Sequence, residues 1–456
     1  MMDTITRQMA EFAVSLKYED LPEEVVHQAK RFLLDSIGCA FGGWDTPDVQ
    51  IQHRLHVQMG GKPEASVLVS GARMPMAHAT LLNSLLIRAL DYNDIYWEED
   101  PSHPSDLIPA ALTPAEALSR SGKDVITAIV LGYEFEQRMC EFAHPGIRER
   151  KWHHATLTGF VSPIVAGKIL GLDVEQIVNA IGISGSHTCT LGAVTAGKLT
   201  NMKNTVDPMA VQAGVIAALL AREGYTGPEH VIDGKEGLVD ALGPEFELNV
   251  LTDNLGKDWR ILRCSMKAYA AEALTHSPIT AVQKIVSRHR LKPQDIREVL
   301  VKTVARAADI LSDPSKYHPT TKETADHSLP YCLSAAIVDG MVTPAQFKEE
   351  KLRDPQIREL LTKIKVVAEP EFEKLFPRLK PAEVTVTTTS GEKYTLRVDY
   401  PKGDYRDPMS EEELLDKFDS MVLDKVGKEK RNRMIELIMN LEKVNDVRDL
   451  TNWLTQ

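Results

Sequence analysis

The chain has 456 residues, 43% of them hydrophobic and 26% charged, and its 53 basic and 65 acidic side chains leave a formal net charge of −12 with no basic block. That balance argues against nucleic acid as a partner and requires a local cationic pocket for any anionic ligand. Five widely spaced cysteines (39, 140, 189, 264, 332) without a C-x-x-C pair argue against an iron–sulfur cluster, a zinc ribbon or a disulfide framework.

No apolar run reaches the roughly 18 residues of a membrane span and the N-terminus has no signal-peptide core, so a cytoplasmic protein without a membrane partner is expected. The length predicts two domains. Helical patterns run from Asp3 to Gly42, with Leu21-Pro22-Glu23-Glu24 opening a second helix, and then over Ala77–Leu90, Ala110–Leu118 and Val125–Glu141. Further helices are expected over Phe160–Leu170, from Val174, and over Met209–Arg222. Past Gly256 the character changes. A helix is expected to begin in the Cys264–Val282 stretch and another to span Ala325–Val338. Strands are expected at Val299–Val304 and Ile364–Ala368, and Val384–Thr389 pairs with Tyr394–Val398 through Ser390-Gly391 as a hairpin. The expected architecture is mainly α: a large helical domain over 1–263, an α+β domain over 264–404, and a helical segment, 405–456, returning to the first.

Three polar islands interrupt these patterns. The first, Ala89 to Pro109, holds Asp91, Asp94 and His103 between prolines that a helix interior excludes, so acid and base groups are presented on an ordered loop. The second, Lys151 to Gly159, holds His153 and His154. The third, Gly182 to Pro208, is rich in small residues and carries Lys203. Lys267 reads as a cation at a helix start, the unfavourable end for positive charge.

Taken in order, ALDYNDIYW, HPSDLIPAAL, GYEFEQR, WHHATLTGF, AGKILGLD, LTNMKNTVDPMAVQAG, MKAYAAEALTH, ETADHSLPYCLSAAIVDG and PKGDYRDPMSEEELLDKF resemble the MmgE/PrpD family from about residue 5 to about residue 420. ETADHSLPY is most similar to the 2-methylcitrate dehydratase branch. The resemblance implies a large helical domain with a smaller α+β domain and a homodimer. It implies Asp91, His103, His153, Lys203 and Lys267 as catalytic residues, with His154 as an alternative to His153, and His154, Glu272 and His276 at the substrate. Asn93, Ile95, Glu272 and Asp313 depart from the decarboxylase pattern. The activity so implied is a lyase, a cofactor-free hydro-lyase of propionate catabolism that dehydrates 2-methylcitrate or a related tricarboxylic acid. Decarboxylation of a cis-aconitate-type acid, or epimerisation of a dicarboxylate, is the alternative, and a non-enzymatic tricarboxylate-binding homologue a further one.

Such a dehydration takes a proton from a carbon beside a carboxylate and expels hydroxide. It therefore needs a base, an acid and cations to hold the substrate carboxylates, which Asp, His and Lys supply without a metal. No metal is expected.

Overall fold

The computed structural model describes residues 4–196 and 199–455. The chain divides into two compact units, Met1–Cys264 with Leu414–Gln456, and Ser265–Glu413. The return to the first unit thus comes at 414, where 405 was expected. Residues 405–413 stay with the second unit because polar contacts tie them to the preceding turn. Gly403 N–H donates to the Asp407 carbonyl, Lys402 Nζ to the Pro408 carbonyl, and Arg406 pairs with Asp404.

The first unit is a layered helical assembly around Ala155–Leu170, a helix whose residues are buried except for Lys168. Its sequence is apolar all round, as a fully surrounded helix requires. It packs against Met202–Arg222, Gly122–Glu141, Val174–Gly185 and Ile108–Leu118, and Met76–Arg88 packs between Met202–Arg222 and Glu23–Gly43. Gly214 permits the closest of these approaches, since a Cβ there would collide with Ser162 Oγ of the central helix. By length and composition Met202–Arg222 would pass for a membrane span, but 67% of its most apolar window is buried among the other helices.

The second unit holds a four-stranded sheet in the order Ile364–Ala368, Ile296–Thr303, Ala382–Thr388, Lys393–Val398. The first pair is parallel and the others antiparallel, and Val384 lies opposite Leu396 in the expected hairpin. His276–His289 covers the two hairpin strands, and Leu329–Asp339 packs on that helix.

Two expected helices differ. The one expected to begin in the Cys264–Val282 stretch, with Lys267 at its start, begins only at His276, after a short 3₁₀ turn at Ala273–Thr275 whose Leu274 N–H donates to the Glu272 carboxylate. Pro278 is tolerated there because it falls in the first turn. Ala325–Val338 is two helices, Lys322–Ala325 and Leu329–Asp339, because Ser328 caps the second through Tyr331 N–H and Pro330 sits at its start. Met202–Arg222 and Ala155–Leu170 each begin several residues before their expected starts, which places Lys203 in a first turn and the two histidines at a helix mouth.

Candidate active site

The Met76–Arg88 helix ends just before Asp91, which adopts a left-handed backbone (φ 52°) that Asp tolerates better than most residues. The chain then makes a small hairpin in which Tyr96 lies opposite Ser102 and Trp97 opposite Pro101. Side-chain hydrogen bonds fix the two arms of this loop against each other. Ser105 donates to the Asp94 carboxylate through both N–H and Oγ, and Asn93 Nδ2 donates to Ser105 Oγ (2.9 Å) and Asp106 Oδ1 (3.2 Å). His103 Nδ1 lies 2.6 Å from the Asp94 carbonyl oxygen. A carbonyl only accepts, so Nδ1 carries the hydrogen, and in the neutral ring Nε2 carries the lone pair.

His153 has the opposite arrangement. Ala155 N–H donates to His153 Nδ1 at 3.2 Å, so the neutral ring is protonated at Nε2. Burial, reinforced by the adjacent His154, holds its pKa well below the usual histidine value, and the ring is therefore neutral at neutral pH. His154 faces Asp207, with Nε2 3.2 Å from Oδ1. Burial would raise the Asp207 pKa, but the facing histidine overrides it and pulls the group below the ordinary carboxylate range. The ring centroids of His103 and His154 are 5.8 Å apart, and those of His153 and His154 4.0 Å.

Two cations meet one carboxylate beside this group. Arg88 Nη1 donates to Asp91 Oδ1 at 2.8 Å, and Lys203 Nζ donates to Asp91 Oδ2 at 2.9 Å. Arg88 also has Nε 3.7 Å from Asp106 Oδ2. Lys203 is the more accessible cation, its side chain 12% exposed against 3% for Arg88. Its pairing with Asp91 offsets the unfavourable position of a cation in a helix's first turn.

The surrounding carboxyls are buried and pushed upward. Burial takes Asp94 up to about 6 against the Ser105 hydrogen bonds. Burial takes Glu136 up to about 7, with the Ser102 and Thr158 hydroxyls opposing and the Asp207 and Asp94 charges adding to the rise. Asp106 is also raised well above its ordinary value by burial, with Arg88 opposing.

Asp91, His103, His153, His154 and Lys203 thus all lie in the first unit, within one connected set of contacts. Lys267, Glu272 and His276 belong to the second unit. Lys267 does not start a helix. It follows the short strand Ser265–Met266, is buried, and donates from Nζ to the Ala271 carbonyl at 3.3 Å. Glu272 accepts from Leu274 N–H, and His276 Nε2 lies 3.1 Å from the Ala271 carbonyl with its ring edge-on to Tyr269.

Among the described residues, one trio brings metal-capable donors together: His153, His154 and Asp207, with one ligand atom from each within 4.8 Å of the others. Its donors are partly committed, since His153 Nδ1 accepts from the backbone and Asp207 faces His154. Sequence reasoning passed over Arg88, Asp106, Glu136 and Asp207. Arg88, Asp106 and Asp207 are each a lone charge in an apolar helical or turn pattern, which was the available signal, whereas Glu136 stands among Glu134, Gln137 and Arg138 and had none.

Residues 7–251 match the MmgE/PrpD N-terminal domain and residues 269–443 the MmgE/PrpD C-terminal domain. The chain belongs to the MmgE/PrpD family. It is 28% identical over 468 residues to human cis-aconitate decarboxylase, covering all of this chain and 95% of that protein. It is 25% identical to cis-aconitate decarboxylase of Aspergillus terreus, covering 99% and 96%. To 2-methylcitrate dehydratase of Cupriavidus necator it is 23% identical over 405 residues, covering 83% and 81%.

Proposed function

We propose that this protein is a lyase acting on a small tricarboxylic acid, with decarboxylation of cis-aconitate or a close analogue as its reaction. Dehydration of 2-methylcitrate, the reading that ETADHSLPY favoured, becomes the second choice. The decarboxylases resemble the chain along its whole length and at higher identity, while the dehydratase match covers 83% of it. The departures at Asn93 and Ile95 lie in a loop where the His103–Asp94 and Ser105–Asp94 contacts use neither side chain, while Asn93 Nδ2 adds donor contacts to Ser105 and Asp106 that an aspartate would not make.

The observation that carries the reading is the pairing of opposite histidine tautomers beside an Arg–Asp–Lys array. Decarboxylation breaks a carbon–carboxylate bond, releases carbon dioxide, leaves the electron pair on the conjugated carbon skeleton and takes one proton to carbon. A histidine whose Nδ1 is fixed on a carbonyl has its lone pair on Nε2 in the neutral ring, so Nε2 first takes up a proton from solvent and the resulting imidazolium delivers it to carbon. Lys203 holds a remaining carboxylate by exchanging part of its contact with Asp91, and His153 donates from Nε2 to a second oxygen. Roles for Lys267, Glu272 and His276 rest on family resemblance alone, as does a homodimer, and a cytoplasmic location rests on the sequence pattern alone. Purified protein should release carbon dioxide from cis-aconitate. New ultraviolet absorbance from 2-methylcitrate without carbon dioxide from cis-aconitate would return the assignment to dehydration.

A further inference from the structure

The Gly132–Arg138 segment, GYEFEQR, takes no part in the proton transfer described above, yet Glu136 within it touches both histidine-bearing segments. Glu136 is 1% exposed, and its Oε1 accepts from Ser102 Oγ at 2.6 Å and from Thr158 Oγ1 at 2.7 Å. Ser102 immediately precedes His103. Thr158 lies one helical turn beyond His154, and its N–H donates to the His154 carbonyl. One oxygen atom therefore links the His103 loop to the helix that presents His154.

We propose that Glu136 is a positioning residue whose Oε1, through Ser102 and Thr158, sets the separation of His103 and His154. This rests on the reading of His103 as the proton-transfer group. The two hydroxyls are themselves buried, so an acceptor removed from between them leaves two donors to find new partners, and the segments that carry them shift. Cys140, within hydrogen-bonding reach of Ser102, is a weaker acceptor than a carboxyl oxygen. Cys140 stands one turn further along its helix, and the charges of Asp94 and Asp207 disfavour ionisation of Glu136. Among the described residues its Oε2 has no hydrogen-bond partner, so the residue acts through one oxygen. That makes glutamine, which keeps one carbonyl-type acceptor, the informative replacement.

Three variants test this: Glu136→Gln, Glu136→Leu, and the Ser102→Ala/Thr158→Val pair. Each is checked for folding by circular dichroism and then assayed for kcat and KM, with the His103 ring resonances recorded by NMR in the absence of substrate. Glu136→Gln should keep kcat within about threefold of the parent, whereas Glu136→Leu should lower it by about 10- to 100-fold, the usual cost of misplacing a catalytic group by about 1 Å, with KM little changed. The hydroxyl pair should match Glu136→Leu, and adding Glu136→Leu to it should cost nothing more. The His103 resonances should move in Glu136→Leu and stay in Glu136→Gln. Normal kcat and unmoved His103 resonances in a folded Glu136→Leu would overturn the proposal, as would a Glu136→Gln variant as impaired as the leucine one. If Glu136→Leu does not fold, the hydroxyl pair decides by the same criteria. If the parent protein turns over none of the acids, the function assignment fails while the NMR arm still decides the positioning role.

Discussion

His103 and Lys203 differ in what their contacts leave them able to do. The His103 ring is fixed through Nδ1 on the Asp94 carbonyl, so its remaining nitrogen is suited to moving a proton. His103→Ala should lower kcat by about 10² to 10⁴ with a modest change in KM, measured on the best substrate. Lys203 sits against Asp91 and is suited to holding charge, so Lys203→Ala should raise KM as its main effect, the signature of a lost ground-state anchor. Glu136 carries a separate, pH-dependent consequence. Its pKa is raised from an ordinary 4.5 to about 7 in the fold, so between those values the native state binds a proton that the unfolded chain does not. Its contribution is complete below pH about 4.5 and is lost as pH rises through 7, an amount of about 3 kcal/mol for a shift of this size. Glu136→Gln should flatten that part of the stability–pH curve in denaturant titrations from about pH 4.5 to about pH 8. An equal slope in both proteins would contradict it.

At the scale of elements, the loop that carries Asp91 is braced by the returning C-terminal segment. Lys417 Nζ donates to the Tyr92 carbonyl at 2.7 Å, stands over the Tyr92 ring, and lies 2.6 Å from Asp35 Oδ1, with both charged side chains at most 2% exposed. Removing one partner of a buried pair leaves the other charge uncompensated, so Lys417→Met should destabilise the protein by about 3 to 5 kcal/mol in chemical denaturation. Asp35→Leu added to it should restore part of that loss, and a lysine variant as stable as the parent would show that the pair does not brace the loop. These braces explain what the sequence could and could not reveal. The hairpin at Ser390-Gly391 was legible because its signal is local, β-branched runs around a glycine, and the helix expected over Val125–Glu141 was legible in its body, while its start lies three residues earlier, at Gly122, where Ser121 accepts from Asp124 N–H. The start at His276 was hidden in helix-favouring sequence, and the break at Asp326–Ser328 was read through although Asp326, His327 and Ser328 before Pro330 are a local stop-and-cap signal. There single side-chain contacts, Ser328 to Tyr331 and Glu272 to Leu274, outweigh propensity.

At the scale of the whole molecule, a chain of net charge −12 presents its anion-holding groups as a buried array in which Arg88, Lys203 and His154 are matched to carboxyls before substrate arrives. The motif residues Asp91, His103, His153 and Lys203 could be named from the sequence because they sit in polar islands. Their neighbours Glu136 and Asp207 were not named, although Asp207 lies in the third island, because the contacts that define them, Glu136 with Ser102 and Thr158 and Asp207 with His154, join segments far apart in the chain, and Arg88 was read as part of the helix that precedes Asp91. The His153–His154–Asp207 trio is the place where metal dependence would show itself. With its donors partly committed to the backbone and to one another, activity should survive exhaustive chelation, and complete loss restored by one divalent metal would reassign the trio as its ligands. The most direct measurement is carbon dioxide release from cis-aconitate by the purified parent protein and by His103→Ala in parallel. Release by the parent that falls at least about 100-fold in the folded variant is the predicted result. Tight binding of cis-aconitate with no carbon dioxide from the parent, or equal release from both proteins, would contradict it.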